Sequence, residues 1–156
     1  MSRRQRFKFD GDGAGHKIGV YLAGPWTRRE EYLILKEEIE NSGMYFVTSR
    51  WLEVMVPEKW SDTDPLLRGY SRWKGCLDMA DVSMSVICIF DMRGILEDER
   101  PRHGTHTELG AALAYGKAVW IVGERNHVFH YMPSMVHFDT MEEAIDELLG
   151  YRDSDL

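Results

Sequence analysis

Short apolar runs alternate along this chain with longer stretches in which apolar positions recur at helical spacing. Four apolar runs bounded by turn or charged residues are typical of buried strands, and they cover residues 17–23, 44–48, 85–90 and 118–122. Apolar residues spaced three or four apart predict helices over about 27–43, up to about 84, over 105–115 and from about 140 to 149. Polar stretches rich in Gly, Pro or charge predict loops at 50–65, 91–104 and 123–139.

Threonine and glutamate three positions apart mark three predicted helix starts. This spacing lets the two side chains cap free backbone amides in a capping box. It occurs at Thr27–Glu30, Thr105–Glu108 and Thr140–Glu143.

Strands that alternate with helices imply parallel strand pairing, with helices on both faces of one sheet. We therefore expect one α/β domain over residues 17–150, with a Rossmann-like or flavodoxin-like sheet of about four to five parallel strands. Ligands of such sheets bind at the carboxyl ends of the strands. The turn after the first strand and the loops after the third and fourth strands should then surround one crevice.

Composition restricts the classes of partner and the compartment. Residues 1–16 are polar, basic and Gly-rich and predict a flexible arm, and residues 151–156 predict a short tail. The net charge of −7 disfavours binding to a nucleic acid polymer, and the absence of a long apolar run or signal peptide disfavours a membrane protein. Cys76 and Cys88 lie in apolar segments, so we expect buried thiols and a reducing, cytoplasmic location.

Glu108 is the first candidate for chemistry because the predicted helix that carries it begins at the crevice. We expect it in the first helical turn, where the helix N-terminus stabilises a carboxylate, the form that a nucleophile needs. A purely capping role with Thr105 explains the same spacing without any chemistry.

Two aspartates and a tyrosine are candidates to act with Glu108. Asp78 and Asp81 are three positions apart on the preceding helix and share one face, and Tyr21 lies near the end of the first strand. A carboxylate that attacks a sugar, paired with a second carboxyl that handles the proton, is what glycosyl transfer requires. Solvated surface acids and a tyrosine packed in the core are the structural alternatives.

Other polar residues near the crevice suggest ligand contacts. Thr27, Arg28 and Arg29, with His103 and Thr105, can form a phosphate site, although exposed arginines in a first helical turn are common. Tryptophans 26, 51 and 60 are candidates to stack on a base.

Metal and dinucleotide cofactors are not expected. The first histidine group, His103 and His106 with Glu108, lies mostly in a predicted loop. The second, His127 and His130 with His137, lacks an acidic or Cys partner at a recognisable spacing. The glycines at 11, 13 and 15 precede the first strand, whereas a dinucleotide-binding fingerprint follows it.

Most of residues 17–149 resemble the nucleoside 2-deoxyribosyltransferase family, particularly its short bacterial and phage-type members. The most specific matching stretch is Gly-Thr-His-Thr-Glu-Leu-Gly with the Gly-Lys that follows it. The matching stretches are VYLAGP at 20–25, TSRW at 48–51, DMAD at 78–81, GTHTELGAALAYGK at 104–117, VGERNHVFHYMP at 122–133 and HFD at 137–139.

The resemblance implies roles for individual residues. It makes Glu108 the nucleophile, Tyr21 the residue that orients it, and Asp78 the residue that serves the base and its proton; aligning the following strand instead places Leu77 there. It also implies at least a homodimer, with Asn126 of a neighbouring subunit as a candidate site residue, and no cofactor. The remaining candidates for substrate binding are Gly24, Pro25, Trp26, Trp51, Asp81, Gly104 and Thr105.

The leading hypothesis is a nucleoside 2-deoxyribosyltransferase that acts on a small nucleoside and a free base. One alternative is an N-glycosidase of nucleoside or deoxynucleoside 5′-monophosphates, in which Thr27, Arg28 and His103 would help to bind the phosphate. A second is a nucleotide-binding module of the same fold without turnover.

Overall fold

The computed structural model describes residues 17–53, 65–94, 103–125 and 128–150. The predicted arm, the predicted tail, Trp60 and Asn126 lie outside these residues. The strands are β1 (Ile18–Ala23), β2 (Tyr45–Val47), β3 (Ile87–Met92), β4 (Ala118–Gly123) and β5 (Val136–Phe138). The α-helices are α1 (Arg29–Asn41), α2 (Pro65–Met84), α3 (His103–Ala114) and α4 (Met141–Gly150), and short 3-10 helices cover Trp26–Arg28, Arg50–Glu53 and Val128–Tyr131.

The five strands form one parallel sheet in the order β2-β1-β3-β4-β5. This confirms the expected α/β class, the parallel pairing and the upper end of the expected strand number. The strand order reverses between β1 and β3, and such a switch point opens a crevice at the carboxyl ends of the two strands. β5 was missed because its three residues, Val136, His137 and Phe138, lack the length and apolar character of the other predicted strands.

The central strands supply the core, and the helices bury their apolar faces against them. From Val20 to Ala23 every residue of β1 is buried, and so is every residue of β3 from Cys88 to Met92. Helices α2 and α3 pack against each other, α2 also contacts β1, and α3 contacts β3 and β4. The mutual packing of α2 and α3 brings side chains from both helices next to β1.

Two of the three predicted capping boxes are wrong. Pro25, with φ of −69°, leads into the 3-10 helix Trp26–Arg28, so Thr27 precedes α1, and that helix has no side-chain cap. α3 begins at His103, so Thr105 and Glu108 both lie inside the helix. The third is confirmed for its threonine, since the Glu143 amide donates a hydrogen bond to Thr140 Oγ1 at 3.1 Å.

The two cysteines differ in environment. Cys88 is buried in β3 as expected, but Cys76 is exposed on α2. Residues two apart on a helix point to nearly opposite sides, and Asp78 faces inward, so Cys76 faces outward. Among the residues that the structure describes, no helix has the length and apolar character to cross a membrane.

Candidate active site

Tyr21 and Glu108 are hydrogen-bonded to each other in the protein interior although 87 positions separate them in the sequence. The Tyr21 hydroxyl donates a hydrogen bond to Glu108 Oε1 at 3.0 Å, and both residues are buried. Burial, and then the nearby carboxylates, raise the pKa of Tyr21 well above its usual value. Tyr21 therefore stays protonated and remains a donor to Glu108.

Asp78 projects from α2 toward the same carboxylate. Its side chain is only 6% exposed, and its charge is close enough to Glu108 to raise the pKa of that carboxyl. Asp78 Oδ1 receives no donor from the described part of the chain. Because two ionised carboxylates buried close together repel each other, the pair favours the state that keeps one proton between the two groups.

The surroundings of Glu108 favour its protonated form. Burial, and then the charge of Asp78, raise the pKa of Glu108 to about 8, while Lys74 and the Tyr21 hydrogen bond oppose this rise. The pKa of Asp78 is also raised by burial, against the opposing effect of Lys74. The pair therefore shares one proton near neutral pH.

The expectation that the helix N-terminus would keep Glu108 ionised is wrong. With α3 starting at His103, Glu108 lies in the second turn, and the effect of a helix terminus fades beyond the first. Burial beside Asp78 is the stronger influence.

Lys74 is part of the site although the sequence pattern did not single it out. Its ammonium donates to Asp78 Oδ2 at 2.5 Å, one helical turn away. The same ammonium lies 5.9 Å from the centre of the Trp51 ring. The four-residue spacing of Lys74 and Asp78 is a signal that sequence reasoning could have used.

The segment after β2 is fixed to β1 and α2 by buried polar groups. Ser49 Oγ accepts a hydrogen bond from the Leu22 amide at 2.6 Å, and Trp51 Nε1 donates to the Leu22 carbonyl at 2.8 Å. Both oxygens of the fully buried Asp81 accept bonds from Arg50, at 2.9 Å from its backbone amide and 2.7 Å from its Nε. This arrangement favours a positioning role for Asp81 over direct contact with a substrate.

An aromatic pair extends from the buried site toward solvent. The rings of Trp26 and Trp51 lie 6.2 Å apart, and Trp26 is 39% exposed whereas Trp51 is buried. The Arg29 guanidinium lies 5.2 Å from the centre of the Trp26 ring and also donates to the Leu52 carbonyl. Trp26 thus presents an accessible indole near the turn that follows β1.

Gly24 is required by close packing at that turn. A Cβ atom at this position would lie 2.0 Å from the Tyr32 hydroxyl oxygen, which itself donates to Asp91 Oδ2 at 2.6 Å. Pro25 follows and begins the 3-10 turn, in which the Arg28 amide donates to its carbonyl at 3.0 Å. Glycine at position 24 therefore lets the turn pack directly against Tyr32.

Asp91 anchors a buried ionic cluster at the end of β3, although the sequence pattern predicted a loop at this residue. Three Arg93 nitrogens donate to its two oxygens at 2.8 to 3.0 Å, and Arg28 Nη1 lies 3.4 Å from Oδ2. Burial alone would raise the pKa of Asp91, but hydrogen bonds from Arg93 and Tyr32 hold it below its usual value. The guanidinium of Arg28, a candidate phosphate ligand, is thus partly engaged by protein.

The structure describes the remaining candidate site residues, those at the start of α3 and the histidines, only in part. Gly104 lies in the first turn of α3, followed by the half-buried Thr105, while the side chain of His103 lies outside the described structure. The rings of His106 and His130 stack at 6.0 Å. Among the described residues, no group of three or more His, Cys, Asp or Glu side chains is arranged to hold a metal ion.

Fold and site together define a doubly wound α/β protein with a buried Tyr-Glu-Asp arrangement at its switch point. Neither a protein-family model nor a curated protein matches the chain significantly. A solved 2-deoxyribosyltransferase from Bacillus psychrosaccharolyticus is similar, with a TM-score of 0.57 and 18% identity, over 82% of this chain and 90% of that one. A solved CMP N-glycosidase from Clostridium botulinum has a TM-score of 0.49 and 21% identity, over 83% of this chain and 97% of that one. The first similarity shows a shared fold.

Proposed function

We propose that this protein is a nucleoside 2-deoxyribosyltransferase that transfers the sugar of a 2′-deoxynucleoside to a second base or to water. The observation that carries the proposal is the buried hydrogen bond of Tyr21 to Glu108, next to the charge of the buried Asp78. Two carboxyl groups that differ in role are the machinery of glycosyl transfer with retention of configuration. The fold shared with a solved 2-deoxyribosyltransferase supports the proposal.

In the first step, a Glu108 oxygen attacks C1′ of the sugar. The new C1′–O bond forms as the C1′–N bond to the base breaks, and the electron pair of that bond goes to the base nitrogen. Asp78 delivers the shared proton to the departing base, either at the nitrogen that leaves C1′ or at another atom of the base ring. The hydrogen bond from Tyr21 to Oε1 fixes the orientation of the attacking carboxylate.

In the second step, an acceptor nitrogen or a water oxygen attacks C1′ from the opposite side. The bond between C1′ and Glu108 breaks, its electron pair returns to the carboxylate, and the proton of the acceptor passes to Asp78. Two displacements at one carbon restore the original configuration. The sequence of steps uses neither a metal nor a cofactor.

The partly exposed indole of Trp26 is our proposed contact for the base. Its ring packs at an angle of 48° to that of Trp51 and is 39% exposed, so a purine or pyrimidine can stack on its exposed part. The backbone of Gly24 and Pro25 would flank the sugar from one side. The start of α3, with Gly104 and Thr105, would flank it from the other.

The first test is a base-exchange assay. Purified protein is incubated with each 2′-deoxynucleoside or its 5′-monophosphate, with and without a free acceptor base, and products are separated by chromatography. Glu108→Gln removes the proposed nucleophile while keeping the side-chain volume, and Glu142→Gln, on the exposed surface of α4, is the matched control.

We expect exchange with free nucleosides in the wild type and the control, and none in Glu108→Gln. Release confined to monophosphates would instead identify an N-glycosidase, with Thr27, Arg28 and His103 as candidate phosphate contacts. Binding without base release from any substrate would indicate the non-catalytic module.

A homo-oligomer in solution is also part of the proposal, with Asn126 of a neighbouring subunit as a candidate site residue.

A further inference from the structure

Lys74 contacts the carboxyl pair from its more exposed side. The side chain of Lys74 is 29% exposed, whereas that of its partner Asp78 is 6% exposed. Lys74 Nζ lies 2.5 Å from Asp78 Oδ2. Solvent-exposed ion pairs at this helical spacing contribute little because water screens them. This pair differs because its carboxylate is buried next to a second carboxyl group, that of Glu108.

The tryptophan beneath Lys74 restrains the ammonium from a second direction. The Trp51 ring lies 5.9 Å from Nζ, within the range of a cation–π interaction. Trp51 is itself held by its hydrogen bond to the Leu22 carbonyl at 2.8 Å. The position of the ammonium is therefore coupled to β1, the strand that also carries Tyr21.

We propose that Lys74 is a positioning residue of the active site. Its ammonium holds Asp78 Oδ2, so that Oδ1 stays available to the proton shared with Glu108. The positive charge of Lys74 also offsets the negative charge of the carboxyl pair. This inference rests on the proposed function for its catalytic meaning. Its electrostatic part concerns the folded protein alone and is testable without turnover.

The charges around the pair give the direction of the effect. The charged or titratable groups that face it are Lys74 and Asp81 from α2, Tyr21 from β1 and Cys88 from β3. Burial raises the pKa of Cys88 to about 11, so its thiol is neutral. Tyr21 is neutral, and the charge of Asp81 is compensated by Arg50 at 2.7 Å. Lys74 is thus the cation, within the described structure, that directly contacts the pair, and removing it makes the shared proton harder to lose.

The test compares two substitutions at this position with a matched control. Lys74→Met keeps the length of the side chain but removes the charge, and Lys74→Arg keeps the charge. Lys36→Met removes another half-buried lysine, whose ammonium is paired with Glu53 at 2.5 Å outside the site. Circular dichroism establishes that each variant is folded.

The first readout is the ¹³C NMR titration of the carboxyl carbons of Glu108 and Asp78. We expect both titration midpoints to move upward in Lys74→Met, by about one to three pH units, the range for loss of an opposite charge at this distance. Lys74→Arg and Lys36→Met should keep wild-type midpoints. Unchanged midpoints in a folded Lys74→Met protein would overturn the inference, whether or not the enzyme is active.

The second readout is kcat/KM for base exchange as a function of pH. We expect the acid limb of the profile to move upward in Lys74→Met by the same amount, with partial recovery of the rate at high pH and little change in KM. A loss of rate that is equal at every pH would show that the role of Lys74 is merely structural, and it would overturn the catalytic part of the inference. Absence of exchange in the wild type would contradict the proposed function and leave the NMR result to decide the electrostatic part.

Discussion

Glu108 has to be ionised to attack a sugar, yet its surroundings favour the protonated form. Burial, and then the charge of the neighbouring Asp78, raise its pKa to about 8. A group that binds its proton more tightly in the folded state than in the unfolded state costs stability once the unfolded state has lost the proton. Part of the folding free energy is thus given up to keep a reactive carboxyl buried.

The pH dependence of stability follows from this shift. Between the ordinary pKa of 4.5 and the folded value of about 8, the folded state holds a proton that the unfolded state has lost, so stability falls as pH rises. We expect Glu108→Gln to unfold at higher urea concentration than the wild type at pH 8, and the difference to shrink toward pH 5. A larger difference at pH 5 than at pH 8 would show that the pKa of Glu108 is not raised.

Tyr21 should affect catalysis more than folding. Tyr21→Phe removes the hydroxyl that donates to Glu108 Oε1 at 3.0 Å but keeps the buried ring. Hydrogen bonds to a charged group contribute about 1.5–3 kcal/mol, so we expect kcat to fall by roughly ten- to a hundredfold. Tyr115→Phe, at the exposed position that directly follows α3, is the control, and equal rates for the two variants would argue against an orienting role.

The sequence could indicate which residues form the candidate site, but it could not indicate which of their carboxyl groups hold a proton. The block around Glu108 and the family resemblance indicated Tyr21, Glu108 and Asp78. The raised pKa values depend on distances between α2, α3 and β1 that no local pattern encodes, whereas the four-residue spacing of Lys74 and Asp78 is visible in the sequence. For the same reason, the pairing of Asp81 with Arg50 emerged only from the fold.

The main strands and helices could be located from their apolar patterns, whereas the residues at which two of the helices begin could not. β1, β3 and β4 stand out because buried parallel strands are almost continuously apolar. The starts of α1 and α3 were misplaced because a threonine and a glutamate three apart also occur inside or before a helix. β5 has only three residues and pairs with β4 through backbone groups that any sequence supplies.

The turn after β1 provides a test at the scale of an element. Gly24→Ala would place a Cβ atom 2.0 Å from the Tyr32 hydroxyl and displace that hydroxyl from Asp91. Overpacking of this kind costs about 1–3 kcal/mol, so we expect a lower midpoint in urea denaturation and weaker substrate binding.

Gly110→Ala is the matched control for Gly24→Ala. Gly110 lies exposed in α3, and apart from its own helix no atom of the described residues lies within 4 Å of the position that an alanine Cβ would occupy. Alanine there should stabilise the helix by about 0.5–1 kcal/mol. Equal tolerance of alanine at both positions would show that the packing of Gly24 against Tyr32 is unimportant.

For the whole molecule, the order of the strands decides which residues meet. Placing β1 beside β3 puts Tyr21 next to Cys88 in register and brings the carboxyl ends of both strands to one crevice. The parallel class and the location of the crevice could be predicted from the alternation of strands and helices. The approach of α2 to α3, which pairs Asp78 with Glu108, required the three-dimensional structure.

Chemical trapping of the sugar on Glu108 tests the central claim most directly. The protein is mixed with a 2′-deoxynucleoside without acceptor base, quenched in acid and digested, and the peptides are analysed by mass spectrometry, with Glu108→Gln as the control. We predict one added deoxyribosyl group on the peptide that contains Glu108, and none in the variant. Base exchange by the wild type with an unmodified Glu108 peptide and an inverted anomer in the product would contradict a covalent intermediate at this residue.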